Sequence, residues 1–137
     1  VLAARRGSAV QGAADLAGLR VAVEWGSQGD AEARRLLAAA PGQFRIVPHE
    51  TVTAALDALD SGEVDAAIVD AISLALHPSP AGLTAVGQPL ISDPYVVVVP
   101  ADAPDLLQEV NRALRLLETD GTLEAIRERW LRPPAGS

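Results

Sequence analysis

Short apolar runs alternate along this chain with segments whose apolar residues recur at helical spacing. The runs typical of strands cover residues 1–6, 19–25, 44–47, 64–69, 83–86 and 95–99. Helical spacing predicts one helix that carries Ala33, Leu36, Leu37 and Ala40 and a second that carries Val52, Ala55, Leu56 and Leu59. Thr51 is expected to cap the second helix and Gly62 to end it, and Asp70 is expected to cap a short helix over Ala71–Leu76. This alternation predicts an α/β fold with a mostly parallel sheet and helices on both faces.

The pattern changes in the last third of the chain. Pro104 follows Asp102 and Ala103 at a predicted helix start. The helix that follows carries one apolar stripe, made of Leu106, Leu107, Val110, Ala113, Leu114 and Leu117. Asp120 and Gly121 interrupt it. Thr122 is then expected to cap a last helix whose inward-facing residues are Leu123, Ile126 and Trp130.

Composition narrows the classes of function. The 137 residues, 49% of them hydrophobic, are enough for one ordinary domain with a core. A net charge of −7 argues against nucleic acid or an anionic membrane as partner, and it is compatible with a cationic or zwitterionic ligand. The chain has no cysteine and no Gly-x-Ser-x-Gly elbow, and its two histidines, each beside a proline in loop-like sequence, lack a metal-ligand spacing. We therefore expect no metal site, no cofactor and no hydrolase triad.

The chain starts at Val1 and contains no methionine, so we expect it to be part of a longer protein. No apolar run approaches the ~20 residues that a membrane-spanning helix needs. Any export signal is expected upstream of Val1.

Asp70 is the first candidate for a functional residue, because it ends the apolar run 64–69. In open α/β sheets, ligands bind beyond the carboxyl ends of the strands, which is where this carboxylate is expected to lie. It could pair with a bound ammonium group. The alternative is that Asp70 only caps the following helix, and the two roles are compatible because a carboxylate has about four lone-pair sites.

A second candidate is the loop Gly26-Ser27-Gln28-Gly29-Asp30, at a transition from strand to helix. Backbone N–H groups at a helix N-terminus favour an anion, and Ser27 adds a hydroxyl donor. A carboxylate is favoured over a phosphate, because neither of the known phosphate-loop motifs is present. The alternative is an ordinary turn in which Asp30 caps the helix.

Glu24 and Trp25 precede this loop and would flank the same crevice. Trp25 could supply an apolar or cation–π wall and Glu24 a second negative group. Alternatively, Glu24 points to solvent and Trp25 belongs to the core. Asp65, earlier in the same apolar run as Asp70, is expected at a solvated or helix-capping position.

Taken in order, these segments resemble the family 3 extracellular solute-binding proteins of amino-acid ABC transporters. The resemblance rests on Asp15-Leu16-Ala17-Gly18, Gly26-Ser27, Ser61-Gly62-Glu63-Val64-Asp65-Ala66, Gly87-Gln88-Pro89-Leu90, Asp120-Gly121-Thr122 and Ile126-Arg127-Glu128-Arg129-Trp130. It implies a type II periplasmic-binding-protein-like fold, in which two lobes close on an amino acid or a related small solute.

The resemblance also implies roles for single residues. Ser27 and the backbone N–H of Gln28 match positions that hold the ligand's carboxylate, Asp70 matches the acid that pairs with its α-amino group, and Glu24 matches a variable position that lines the pocket. Gln28 departs from the family, which usually has a small Thr, Ser or Gly there, so the carboxylate site is expected to be reshaped.

The chain covers only part of the family's architecture. Residues 1–94 match the second lobe, and residues 95–137 match the returning strand and helices that pack on a first lobe, which this chain lacks. The apolar residues of that segment would be exposed, so we expect them to fold back or to pack against another chain, for example in a homodimer with exchanged tails.

The resemblance implies binding of a small polar solute, and not catalysis, by a periplasmic or extracellular protein that serves a membrane permease. Three alternatives stay open at this stage. The fold also serves as a sensor module of signalling receptors and as an effector domain of transcription regulators, although the ending from Asp120 to Trp130 disfavours the regulators. Some relatives are dehydratases of cyclohexadienyl acids, which use a Glu near the position of Asp70.

Overall fold

A computed structural model of the chain describes residues 1–78, 82–92 and 96–131. These residues form two compact units that divide between Ser92 and Asp93. The first unit contains five strands, β1 (Leu2–Arg5), β2 (Arg20–Glu24), β3 (Arg45–His49), β4 (Ala66–Ile68) and β5 (Leu83–Val86). Over the described residues, its α-helices are α1 (Gln28–Ala39), α2 (Val52–Ser61) and α3 (Ala71–Leu76), and a 3₁₀ turn covers Ala13–Leu16.

The five strands form one sheet in the order β3-β2-β4-β1-β5. Strand β2 pairs in parallel with β3 and β4, whereas β1 pairs antiparallel with both of its neighbours, β4 and β5. Four strands therefore run in one direction and β1 runs against them. The predicted α/β fold is confirmed, but the expected mostly parallel sheet is a mixed one, because β1 sits inside the sheet in the reverse direction.

The side chains of β2 show why both faces of the sheet are covered. Val21 and Val23 point to one face, where they pack with Ala33 of α1, and Ala22 points to the other, where it packs with Leu56 and other residues of α2. All of these side chains are buried. Burial on both faces explains why the strands lack a polar alternation in the sequence.

Most helix ends lie where the sequence predicts them. The hydroxyl oxygen of Thr51 accepts a hydrogen bond from the Ala54 amide at 3.1 Å and caps α2, and Gly62 ends the same helix with φ of 85°. Asp70 caps α3 over the predicted residues. The alternative considered for the loop 26–30, in which Asp30 caps α1, is wrong, because Ser27 holds the capping position.

The second unit consists mainly of α4 (Pro104–Thr119) and α5 (Thr122–Leu131). Several expectations fail here. Residues 96–100 carry no regular secondary structure and the side chains of Val96, Val97 and Val98 are exposed, so the predicted strand 95–99 does not form over its described residues, and Tyr95 lies outside them. The reason is that β-branched residues favour a strand only when neighbouring backbone supplies hydrogen bonds.

The ends and faces of α5 also differ from expectation. Ile126 and Trp130 are exposed and do not face inward. Thr122 is the first residue of the helix and not its cap, and its amide donates a hydrogen bond to Asp120 at 2.9 Å. Within the part of the chain that the structure describes, no helix combines the length and the apolar character needed to cross a membrane.

Candidate ligand-binding site

The carboxyl ends of β2, β3 and β4 lie at one edge of the sheet. The register pairs Val23 with Ile68 and Glu24 with His49, and the Trp25 amide extends the ladder by donating to the His49 carbonyl oxygen at 2.9 Å. The loop 26–30 follows β2, and Asp70 follows β4 by two residues. Parallel pairing therefore places both predicted candidates at the same edge, as expected for a ligand site in this class of fold.

Gly29 fixes how close the two candidates come. A Cβ atom at this position would collide with the carbonyl oxygen of Ile68 and would lie 3.3 Å from the hydroxyl oxygen of Ser27. The N-terminus of α1 thus sits directly against the last residue of β4. Gly26 has open space around it, and its contribution is the positive φ of 75° that turns the chain.

Ser27 and Asp30 organise the first turn of α1. The Ser27 hydroxyl oxygen accepts a hydrogen bond from the Asp30 amide at 3.2 Å, and its own O–H can still donate to a ligand. The buried Asp30 carboxylate turns back to accept from the Gly26 amide at 3.1 Å and from Arg34 Nε at 2.8 Å. The Gly26 amide is consequently used within the loop, so fewer backbone donors face the crevice than the sequence suggests.

Gln28 begins α1 and is exposed at the same edge. The first turn of α1 therefore carries a long, exposed polar side chain at a position where the family usually has a small residue. The roles of Gln28 and Ser27 in ligand binding remain predictions.

Asp70 is exposed, and it uses one oxygen within its own helix. Oδ1 accepts a hydrogen bond from the Ser73 amide at 2.8 Å. Burial acts to raise the pKa of Asp70, but hydrogen bonds from Ser73 and from the backbone, including the Ile72 amide, outweigh it and hold the pKa below the ordinary value. The carboxylate is therefore ionised near neutral pH. Its capping role is established, and its pairing with an ammonium group remains a prediction.

Glu24 and Trp25 occupy the end of β2 as expected. Glu24 is half-buried, whereas the Trp25 side chain is 74% exposed, so the interpretation of Trp25 as a core residue is wrong. Asp65, at the other end of β4, is partly exposed and forms an ion pair with Arg20 at 3.0 Å. Asp65 therefore joins the starts of β2 and β4 and takes no part in the candidate site.

A recess of about 340 Å³ that opens to solvent lies beside this edge, and it was not predicted from the sequence. Trp25, Pro48, His49 and Glu50 line it. The sequence suggests a loop around His49, but the structure makes His49 the last residue of β3. Its Nε2 atom is buried and has no hydrogen-bond partner among the described residues. Trp25 follows β2 directly and His49 ends β3, which brings two residues that are distant in the sequence to the same recess.

The described residues contain no group of three or more His, Asp or Glu side chains that could hold a metal ion.

No protein-family model and no curated protein sequence matches this chain. Solved structures do match it. It is 26% identical to an ancestral arginine-binding protein bound to arginine, with a TM-score of 0.63, over 94% of this chain and 58% of that one. A probable amino-acid ABC transporter extracellular-binding protein from Bacillus subtilis gives a TM-score of 0.78 at 22% identity, over 95% of this chain and 58% of that one.

The L-cystine solute receptor of Neisseria gonorrhoeae, in its unliganded open conformation, gives a TM-score of 0.74 at 21% identity, over 96% of this chain and 54% of that one. The chain thus spans less than two thirds of the length of each of these proteins, and at 21% and 22% identity the last two show the fold alone. These structural neighbours are binding proteins and not enzymes. Over nearly its whole length, this chain is similar to the solute-binding proteins of amino-acid ABC transporters, which confirms the resemblance stated from the sequence.

Proposed function

We propose that this chain is the second ligand-binding lobe of an amino-acid-binding protein that serves an ABC transporter. In this proposal, Asp70 pairs with the α-ammonium group of the ligand. The Ser27 hydroxyl and the amide of Gln28 in the first turn of α1 hold its carboxylate. Glu24 and Trp25 flank the ligand.

The contact between Gly29 and Ile68 is the observation that carries this proposal. It holds the positive end of the α1 dipole against the end of the strand that leads to Asp70. The donor groups of the first turn of α1 and the ionised Asp70 therefore belong to backbone segments that meet at Gly29 and Ile68, which supports a site for a zwitterion. Both groups keep hydrogen-bonding capacity for a ligand, because the Ser27 O–H remains a donor and a carboxylate has about four lone-pair sites, which exceeds what the cap on α3 requires.

Function in this proposal depends on closure and involves no catalysis. When two lobes each hold part of a ligand, the ligand favours the closed state by its differential affinity for that state. The chain spans 58% of the length of the arginine-binding protein, so a single lobe is expected to bind weakly. A permease is the expected partner of the longer protein, at a periplasmic or extracellular location.

Binding by the chain can be tested with amide NMR spectra during titration with a panel of L-amino acids. We expect weak binding, with dissociation constants on the order of a millimolar, and shifts concentrated at residues 25–30 and 69–73. The Asp70→Asn variant keeps the helix cap, because Asn caps as well as Asp, but it removes the charge. We expect it to weaken binding by about tenfold or more.

Glu63→Gln is the matched control, because Glu63 is also exposed but lies near the opposite end of β4. It should leave the affinity unchanged. If no amino acid shifts the residues of the site, or if Asp70→Asn binds as well as the unaltered chain, the proposal is wrong.

A further inference from the structure

The N-terminal turn of α1 contains an acid of its own. Asp30 lies three residues after the capping residue Ser27, and only 7% of its side chain is exposed. Its Oδ2 atom accepts a hydrogen bond from the Gly26 amide at 3.1 Å, and its own amide donates to the Ser27 hydroxyl oxygen at 3.2 Å. These bonds hold the carboxylate against the turn that is proposed to bind the ligand's carboxylate. An anion that binds there must therefore share the turn with a buried negative charge.

Arg34 neutralises this charge only in part. Its Nε atom donates to Oδ1 of Asp30 at 2.8 Å, which is the oxygen that does not accept from Gly26. Arg34 lies one helical turn farther from the N-terminus of α1 than Asp30 does, so the carboxylate faces the turn with one oxygen and the arginine with the other. The Arg34 side chain is 59% exposed, so solvent screens its charge more than that of the buried acid.

This balance of charges limits the kind of anion that the turn can accept. The amides at a helix N-terminus act as about half a positive charge, which favours a ligand group with one negative charge. A group with two negative charges would bring its second charge close to Asp30, and such a repulsion in a partly buried site corresponds to about a tenfold loss of affinity. Asp30 also occupies the Gly26 amide, so one backbone donor fewer is available to a further anionic oxygen.

We propose that Asp30 is a specificity-determining residue, which restricts the site to ligands whose anionic group carries a single charge. Carboxylates are then accepted, whereas phosphates and phosphonates are rejected. The inference rests on the proposed function, because it takes the first turn of α1 as the place where the ligand's anionic group binds. A purely structural role of Asp30 predicts a different result, since loss of a structural contact weakens the binding of every ligand, whereas loss of this repulsion strengthens the binding of a doubly charged one.

The test compares three ligands that differ only in their anionic group. They are L-alanine, its phosphonate analogue, which carries two negative charges at about pH 8, and its methylphosphinate analogue, which is tetrahedral like the phosphonate but carries one charge. Dissociation constants are measured with the chain from amide NMR shifts. We expect L-alanine and the phosphinate each to bind about tenfold or more tightly than the phosphonate. Equal affinities for the phosphinate and the phosphonate would overturn the inference, because shape and not charge would then decide.

Three variants separate the charge of Asp30 from its structural contacts. Asp30→Asn keeps an oxygen that can accept from the Gly26 amide, and it should strengthen phosphonate binding relative to L-alanine by about tenfold. Arg34→Gln leaves the acid without its partner and should weaken phosphonate binding relative to L-alanine by about two- to threefold. Glu32→Gln is the matched control, because Glu32 is equally buried and pairs with Arg35 at 2.6 Å, but it lies about 200° around α1 from Asp30. This control should leave the affinity ratio unchanged.

Inorganic phosphate tests the turn without the rest of the site. At constant ionic strength it should leave the amide signals of residues 26–30 unchanged in the unaltered chain and shift them in Asp30→Asn. This gain supports the inference even if no amino acid binds, in which case the proposed function alone fails. If phosphate shifts these signals equally in both chains, or if Asp30→Asn weakens L-alanine and the phosphonate alike, the inference is overturned, and in the second case the proposed function stands. Arg34 is exposed, so Arg34→Gln should fold even if Asp30→Asn does not, and an unchanged affinity ratio in Arg34→Gln would also overturn the inference.

Discussion

Gly29 shows how a single missing side chain can determine the shape of a site. The Ile68 carbonyl oxygen occupies the space that a Cβ atom would need, and backbone atoms cannot move aside as a flexible side chain does. Gly29→Ala must therefore push α1 away from the end of β4. We expect a loss of about 1–3 kcal/mol in the free energy of unfolding, measured by chemical denaturation, together with weaker amino-acid binding.

Gly12→Ala is the control for this prediction. Gly12 has an extended backbone with φ of −178°, and a Cβ atom there would meet nothing within 4 Å. We expect its stability to change by less than about 0.5 kcal/mol. Equal stability of the two variants would show that the contact between α1 and β4 is not tight.

At the scale of single residues, the positions of the candidate binding residues were easier to predict from the sequence than their roles. Ser27 and Asp70 lie at the predicted edge, because each follows a strand whose apolar run is easily recognised. The close approach of Gly29 to Ile68 was not predicted, because this contact joins residues far apart in the chain. His49 was missed for a related reason. Its unsatisfied nitrogen depends on what surrounds it, which residue type alone does not reveal.

Among the structural elements, α3 links stability to the candidate site, because Asp70 caps this helix and is also the acid proposed to bind the ligand. Asp70→Ala removes the hydrogen bond that the Ser73 amide donates and should cost about 0.5–2 kcal/mol of unfolding free energy, whereas Asp70→Asn should cost much less. Thermal or chemical denaturation of both variants measures the difference. If the two are equally destabilised, the charge of Asp70 and not its cap stabilises this end of α3.

The ion pair between Arg20 and Asp65 joins β2 to β4 at the other end of the sheet. Hydrogen bonds from the Arg20 side chain and backbone amide hold the pKa of Asp65 below its ordinary value of 3.8. A depressed pKa in the folded state gives stability that is complete above the unfolded-state pKa and is lost as the pH falls through the folded-state value.

Asp65→Asn should therefore be less stable than the unaltered chain at neutral pH, and this difference should shrink below about pH 4. Denaturation curves over a pH series measure it. Arg20→Gln removes the guanidinium partner and should show the same convergence at acid pH. A difference that stays constant from neutral to acid pH would contradict the role of the ion pair.

At the scale of helices and strands, signals that are local in sequence predicted the helix ends correctly, whereas the pairing between distant strands was not predicted. Caps such as Thr51, Gly62 and Asp70 are local in sequence, and α2 and α3 lie where they indicate. The reversed β1 was not predicted, because its place between β4 and β5 depends on pairing between distant segments. Residues 96–99 are a second example. This valine run has the composition of a strand, but it does not form a strand because no neighbouring strand supplies hydrogen bonds to it among the described residues.

For the molecule as a whole, the notable feature is the apolar stripe of α4, part of which is exposed within the described residues. Leu106 and Leu107 are 48% and 45% exposed, and Val96 to Val98 and Trp130 add further exposed apolar surface. Surfaces of this kind in soluble proteins usually mark contacts with another chain. The family resemblance predicts a physical reason, because this segment is expected to match the part that packs on a first lobe.

We therefore predict that the chain produced alone associates with itself through α4, as in the tail-exchanged homodimer considered from the sequence. Light scattering over a range of concentrations should give a mass near that of two chains. Leu107→Lys places a charge on the stripe and should shift the population to monomer. Leu116→Lys is the matched control, because Leu116 is 60% exposed but lies about 180° around the helix from Leu107, off the stripe. A monomer at every concentration, or equal effects of the two lysine variants, would contradict this prediction.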